Sequence, residues 1–559
     1  MTQSREADPL TQELDTLITA LEQARQPWEP TWDRLWDKCY PTRKFYAPED
    51  YGSSKEPTIN YSTHARRALE ISSGGFQEYT ANRRTAWMQL RFDDPILNKQ
   101  YMVADWLEEC QEIVLAHFNR SNFYPALGEL VPDGHVTGGC MFSEEDRARN
   151  LILYRARHPK AIWYTRNAYG EIDIVVDEYW YSRRACVQRF GAENLHDSIT
   201  RDVDKAPLDG VKIHHIVMPM DTRYLAYSTE ARNAKMPFVS IWYDRTNKWI
   251  IDVGGYWEMP YTAWGYYQLD GEDYPRTPAM DALGEIYAVN QMAKSRIALG
   301  QKISDPPMIV DSGLQGQDYI IPGYHIYIGS PAQRIEPLQL GANYPITTDN
   351  EQRAENAIDA HFNIDLYMML ANAERQMTAR EVIERMGEKI SVIGYSVGTY
   401  EQQVLQPNVR RTFNILYRAG MLPPAPKAVL DAVKDKTYLK IEFLGRLSQL
   451  QRQYFQTSGL NNAISYVGAI GQMNQDSLDN VDFDELMRTS LESVGAPESV
   501  IREEDDVKAI RQNRLAQQAQ LMQLQAAEAA ANRVAQNYDK LAKTPQPGSP
   551  AEQLGAAAQ

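Results

Sequence analysis

Over the first 130 residues, apolar positions recur at helical spacing. Trp28, Trp32 and Trp36 fall at i, i+4 and i+8, which sets three indoles on one helical face and predicts a core or interface stripe. Asp105 to Phe118 repeats the helical pattern, and Gly134, Gly138 and Gly139 are expected to break it. Between 150 and 270 the pattern changes. Leu151-Ile152-Leu153-Tyr154, Ile172-Asp173-Ile174-Val175-Val176 and Phe238 to Tyr243 are short, β-branched and aromatic, and are bounded by Asn, Gly, Pro and Asp. They read as strands. Arg166 to Gly170 predicts a hairpin turn, and Thr246-Asn247-Lys248 another before Trp249 to Asp252.

Pro278 suits a first helical turn, and Ala279 to Ile303 holds no further proline. One helix of roughly 39 Å is expected there, stopped by Pro306-Pro307. Residues 305 to 345 carry six prolines and five glycines in 41 positions, with Tyr319 to Ile328 forming two apolar runs around Pro322-Gly323. That is a small β module. Helix signals resume at Thr348 or Asp349 as N-cap, with Glu351 to Leu370 following. A β module between two helices is expected to project on a two-helix stalk.

Residues 378 to 420 read as a further helix. Thr378 with Glu381 fits a capping box, Gly387, Gly394 and Gly398 are possible bends, and Gly420 with Pro423-Pro424 ends it. Residues 472 to 506 carry 11 acidic and 2 basic side chains, a local charge of −9. Beyond them Leu515, Ala519, Met522, Ala526, Ala529 and Arg533 recur at spacings of 4, 3, 4, 3 and 4. This is a heptad seam of mostly small residues, read either as packing on copies of itself or as a Gln/Ala-rich solvated helix. The tail from Pro545 is expected to be disordered.

Composition narrows the classes. The 559 residues are 43% hydrophobic and 24% charged, and mean hydropathy is −0.52, which is globular. The longest charge-free stretch, Gln453 to Gln475, is interrupted by amides, so no membrane span is expected. The N-terminus lacks an apolar h-region, so no secretory signal is read. The net charge of −16 is not the basic footprint of a protein that grips nucleic acid. Cys39, Cys110, Cys140 and Cys186 are far apart and form no C-x-x-C pair, so reduced thiols are expected rather than zinc or disulfides.

One enzyme motif matches by letters. Gly394-Tyr395-Ser396-Val397-Gly398 satisfies G-x-S-x-G, but that nucleophile elbow needs a strand, a sharp turn and then a helix. Here helical, charged sequence precedes it. A serine hydrolase using Ser396 is kept as an alternative. There is no phosphate-cradling G-x-x-x-x-G-K-[ST] loop and no H-E-x-x-H. His214-His215 are adjacent and are read as surface histidines rather than a metal pair. No catalytic residue, cofactor or metal is assigned.

The run Asp270 to Ile286, with Tyr274-Pro275-Arg276-Thr277-Pro278, resembles the segment leading into the stem helix of podovirus (T7-like) head-to-tail connectors, the portal proteins of short-tailed phages. Pro275 stands where that family's "YGRSP" has glycine. Thr85 to Leu90 resembles the family's tryptophan-containing strand. Met377 to Val382, running on to Pro407 and Arg410 to Phe413, resembles its "TA-x-EV…R" helix. Glu442 to Gln449 resembles its "EF-x-x-x-L-x-Q" segment, and Leu478 to Asp482 with Val507 to Arg511 its C-terminal part. Five matches in order span about residues 85 to 515.

The resemblance implies an α+β, mainly helical portal fold that assembles as a ring of twelve. A wing covers 1–275, with a helical and then a β-rich part. A stem helix at 278–303, a β-rich clip at 305–345 and a second stem helix at 349–366 follow. A tunnel loop lies at 367–378 and a long wing helix with its following segment at 379–450. The crown is 451–506, the barrel helix 507–544 and the tail 545–559. The ring sits in the virion at one capsid vertex, after assembly in the host cytoplasm. The implied partners are further copies of itself, the terminase large subunit (the separate pumping ATPase), scaffolding protein, major capsid protein, tail adaptor and internal ejection proteins. Double-stranded DNA passes through non-specifically. Another ring-forming component, such as an adaptor, is the nearer alternative.

Within that frame Lys294, Arg296 and Lys302 lie on the stem, Lys294 and Lys302 eight apart on nearly one face, and are candidates to meet phosphate. Glu374 and Arg375 fall in the tunnel loop, with Arg375 the candidate cation of the constriction. Met368, Met369 and Leu370 beside them form a candidate apolar gate. Tyr319, Tyr324 and Tyr327 of the clip are amphipathic, as interface residues often are.

Overall fold

The computed structural model describes residues 9–43, 59–146, 151–228, 235–304, 308–310, 335–337, 344–376, 393–434, 439–449, 482–484, 487–488 and 504–541. The chain divides into two units, Met1–Tyr454 and Phe455–Gln559.

The first unit opens with α1 (Pro9–Arg25) and α2 (Glu29–Cys39), then α3 (His64–Thr80). On α2 the indoles of Trp32 and Trp36 are buried, and Trp28 packs against the same core. The tryptophan stripe is therefore a core stripe. Strand β1 (Met88–Phe92), the short α4 (Pro95–Asn98), α5 (Tyr101–Arg120) and α6 (Phe123–Val136) follow. Gly134 does not break α6. The helix runs through it to Val136, and a Cβ there would lie 2.2 Å from the Trp264 ring. The missing side chain is what lets that ring reach the helix.

The β-rich part forms two sheets. β2 (Gly139–Asp146), β3 (Leu151–Arg157) and β9 (Tyr261–Trp264) make one, in the order β3-β2-β9. β4 (Ile162–Arg166), β5 (Ile172–Ser182), β6 (Gly210–Pro219), β7 (Phe238–Asp244) and β8 (Trp249–Tyr256) make the other, an antiparallel meander in chain order. Both expected hairpins are present, and Lys248 takes a φ of 52° in the second. Two short helices, α7 (Arg183–Phe190) and α8 (Asp197–Thr200), lie between β5 and β6.

The meander is covered on both faces. Leu14, Ile18 and Leu21 of α1 pack with Val176, Ile216, Val239 and Ile241 on one face. Cys186 of α7 and Leu195 pack with Tyr179, Ile213 and Trp242 on the other. This corrects the surface reading of His214 and His215, which are both buried on β6. Their side chains alternate across the pleat, and neither face is open to water. His215 stacks on Trp242 with centroids 4.1 Å apart and bonds to Tyr261 Oη (2.6 Å) and Ser240 Oγ (2.9 Å).

Next come α9 (Pro278–Asp281), α10 (Leu283–Ser304), β10 (Met308–Val310), β11 (Ile335–Pro337), α11 (Tyr344–His361) and α12 (Ile364–Gln376). A long helix covers 393–418, with a π-turn at Glu401–Leu405 just before Pro407. A proline cannot donate into an α-ladder, and a wider turn accommodates the gap. Among the described residues the ladder therefore changes beside Pro407 rather than at Gly394 or Gly398, and Gly387 lies outside them. A helix at Lys427–Lys434 and β12 (Leu439–Phe443), antiparallel to β1, close the unit. All four cysteines are buried and unpaired.

In the second unit one helix, Glu504–Leu541, spans 38 residues, about 57 Å. Leu515 and Met522 of the heptad seam are 64% and 71% exposed, and Arg511 meets Asp484 at 2.5 and 2.6 Å. No helix among the described residues is long and apolar enough to cross a membrane.

Candidate functional site

The stalk begins at Thr277. Its hydroxyl caps the amide of Met280 at 3.3 Å, and Pro278 takes the first turn. The expected single helix is interrupted at Ala282, so α9 and α10 are separate pieces. α11 starts at Tyr344, five residues before the predicted cap Asp349. Pro345 fits its first turn, where no amide is needed.

α10 buries Ile286, Val289 and Ala293 on one stripe. From Lys294 to Ser304 no residue is buried. α11 packs against α10, and Arg296 Nη1 lies 3.1 Å from the buried carboxylate of Glu351. Beyond the helices, β10 and β11 pair antiparallel, Met308 with Pro337 through Val310 with Ile335. That ladder brings together the two ends of the intervening segment. Tyr319, Tyr324 and Tyr327 lie outside the described residues.

The three stem cations have different surroundings. Arg296 is committed to Glu351. Lys294 is exposed, with its ammonium 5.5 Å from the centroid of Tyr61. Lys302 is exposed on the last turn, where the helix dipole favours a cation. Tyr287, Gln291, Lys294, Ala298, Gln301 and Lys302 are all exposed and share one face of α10 at helical spacing. That stripe holds no carboxylate. Lys38 of α2 reaches its near end, 5.7 Å over the Tyr287 ring. The sequence reading missed Tyr287, Gln291, Gln301 and Lys38. The seven-residue spacing of Tyr287 and Lys294 was a visible signal for the first of these.

α11 is also tied to the body. His64 Nε2 of α3 sits 2.8 Å from Asp359 Oδ1, and its Nδ1 lies 3.8 Å from Glu355. Asn290 Oδ1 accepts the amide of Tyr61 at 2.8 Å.

After α11 the chain turns at Asn363, with φ 54°, into α12. Residues 367–376 are thus helical, where a loop was expected. The physical reason is packing. Leu366, Tyr367 and Leu370 lie on one face of α12 and join the helical core. A Cβ on Gly75 of α3 would fall 2.4 Å from Tyr367 Cδ1, so the ring sits directly on the glycine. Leu370 is fully buried and Met369 packs on the same core, while Met368 is 45% exposed. Of the three candidate gate residues, only Met368 is exposed in this chain. Glu374 and Arg375 occupy the last turn of α12.

Ser396 lies inside the long helix, fully buried, with Oγ donating to the Ile393 carbonyl at 3.2 Å. No strand-turn-helix elbow exists there, which overturns the hydrolase alternative. Among the described residues no group of His, Cys, Asp and Glu is arranged to hold a metal ion.

Comparison with known proteins agrees along most of the chain. The family described as "Bacteriophage head to tail connecting protein" matches residues 11–501. The "Portal protein" of Salmonella phage epsilon15 is 26% identical over 525 residues, covering 91% of this chain and 92% of the relative. The "Probable portal protein" of Bordetella phage BPP-1 is 24% identical over 516 residues, covering 89% and 90%.

Proposed function

The chain belongs to the bacteriophage head-to-tail connecting protein family, and from that membership we propose that twelve copies form a ring whose stem helices line a passage for double-stranded DNA. The portal function itself follows from the family and from relatives aligned nearly end to end. The chain is a phage portal protein and a structural component of the virion at the capsid vertex. The same ring serves DNA packaging, retention and ejection. It docks the terminase large subunit and the tail adaptor through the clip, and meets scaffolding, major capsid and internal ejection proteins.

One observation supports the stem in particular. The outer half of α10 buries nothing in a single copy, and it exposes Ile297 and Ile303 at 45% and 57%. Apolar side chains on a helix that are left exposed by the described residues of their own chain fit burial against neighbouring copies. The carboxylate-free stripe with Lys294 and Lys302 then faces the passage. Arg296, held by Glu351, stays structural. Met368 is the apolar contact near the constriction, with Glu374 and Arg375 on the same helix end. The exposed seam of Leu515, Ala519 and Met522 suits a barrel of parallel helices.

A duplex must pass close without being held. Each neutralised phosphate strengthens non-specific binding through counterion release, so a few cations in an acidic protein favour sliding. At −16 per chain, twelve copies carry about −192. Native mass spectrometry tests the assembly. Twelve chains of 63.9 kDa give a particle of about 767 kDa. A sample that stays monomeric under all assembly conditions would refute the ring.

A further inference from the structure

A second surface lies far along the chain from the stem. The α4–α5 corner exposes three large apolar side chains within seven residues: Ile96 at 74%, Tyr101 at 82% and Met102 at 71%. They are not on a loose tail. Asn98 brackets the backbone of Phe92, accepting its amide and donating to its carbonyl at 2.8 Å each. Asp94 caps the amide of Ile96 at 2.8 Å. Beside the exposed residues, Leu97 and Val103 are buried, and Trp106 Nε1 donates to the Pro423 carbonyl at 3.0 Å. The three side chains are thus held out into water by a fixed backbone, and rigid exposed apolar groups mark interaction sites.

Their surroundings select the partner. Asp93, Asp94, Asp105, Glu108, Glu109 and Glu112 are all exposed on the same corner and the outward face of α5, with Lys99 among them and Arg91 and Lys440 paired to Glu442 on the adjoining strands. Asp105, Glu108 and Glu112 recur at i, i+3 and i+7, so an acidic row continues from the apolar head along one helix face. We propose that this corner docks a basic amphipathic segment of another protein, whose aliphatic side chains cover Ile96, Tyr101 and Met102 while its Lys and Arg meet the carboxylate row. Charge complementarity of this kind sets partner choice and on-rate. It does not require the ring, so it can fail or hold independently of the portal reading.

The probe is an 18-residue Lys/Leu amphipathic helical peptide with a fluorophore, titrated onto the full-length protein at low and high salt. Wild type is expected to bind it in a salt-dependent way. The variant Ile96→Ser/Tyr101→Ser/Met102→Ser, and separately Glu108→Lys/Glu109→Lys, is expected to lose at least tenfold in affinity. Glu193→Lys/Asp197→Lys, on an exposed acidic stretch elsewhere, is expected to change it less than twofold. Equal effects from both acidic sites, or none from the corner, overturn the proposal. Tyr101→Ser alone serves if the triple variant misfolds. A photo-crosslinker at Tyr101 during head assembly gives a second readout. A crosslinked Lys/Arg-rich aliphatic peptide from another protein supports the proposal. A second copy of this chain, an acidic peptide or no product refutes it.

Discussion

The packed body of the first unit and the exposed face of α10 handle charge in opposite ways. In the body, Asp177 is fully buried and held by Arg157 Nε at 2.8 Å and Tyr261 Oη at 3.0 Å. Asp133 is buried against Arg43 at 2.8 Å, and Arg411 is consumed by Ser143 and Glu258. On α10, Lys294 and Lys302 point into solvent. Charges of the first kind are fixed because leaving one partner alone in low dielectric is expensive. Charges of the second kind can exchange partners with a moving polyanion at no cost to the fold. Both kinds meet on α10, where Arg296 is fixed by the buried Glu351 on another face of the helix from Lys294 and Lys302.

The largest expected effect sharpens that contrast. Arg157→Met leaves Asp177 buried without its cation and should cost about 3–5 kcal/mol in urea unfolding. Lys302→Gln should stay within about 0.5 kcal/mol. Equal losses would break the distinction.

The next effect is a pH dependence. Burial holds the His117 and His135 imidazoles neutral, lowering each to about 4 from an ordinary 6.5. The unfolded chain takes up protons below 6.5 while the folded one does not. Stability is therefore full above that value and falls as pH drops from 6.5 to about 4. The loss is on the order of 3 kcal/mol for each histidine at the lower limit. His135→Asn should flatten part of the slope in urea midpoints measured across that window. An unchanged slope would contradict the burial account.

Smaller again is Gly134→Ala, whose methyl meets the Trp264 ring. Overpacking should cost about 1–3 kcal/mol, read by thermal unfolding. Smallest in stability is Lys294→Gln/Lys302→Gln. Its signature is a shallower slope of log affinity for duplex DNA against log salt, since fewer counterions are released. An unchanged slope would remove both lysines from the channel wall.

Much of this was legible beforehand. The hairpins at Arg166–Gly170 and Thr246–Lys248 followed from turn chemistry, and the buried indoles of Trp32 and Trp36 from helical spacing. Other features depend on tertiary context that no local pattern carries. The burial of His214 and His215 follows from helices covering both faces of one sheet. Residues 367–376 are helical because Tyr367 and Leu370 find a partner surface on α3, far away in sequence. The G-x-S-x-G letters at Ser396 fit a helix as readily as an elbow. At the stem, spacing located Lys294 and Lys302, but the commitment of Arg296 to Glu351 needed the second helix in place. The corner at Ile96, Tyr101 and Met102 reads in sequence as an ordinary helix start, and only exposure distinguishes it.

The shape of the assembled particle is the most direct test of a ring-forming portal. Electron-microscopy class averages of the purified protein should show twelve-fold end views with an open axial hole wide enough for a duplex. Side views should show a narrower stem below a wider wing. Closed particles without a hole, or single globules at every concentration, would contradict it.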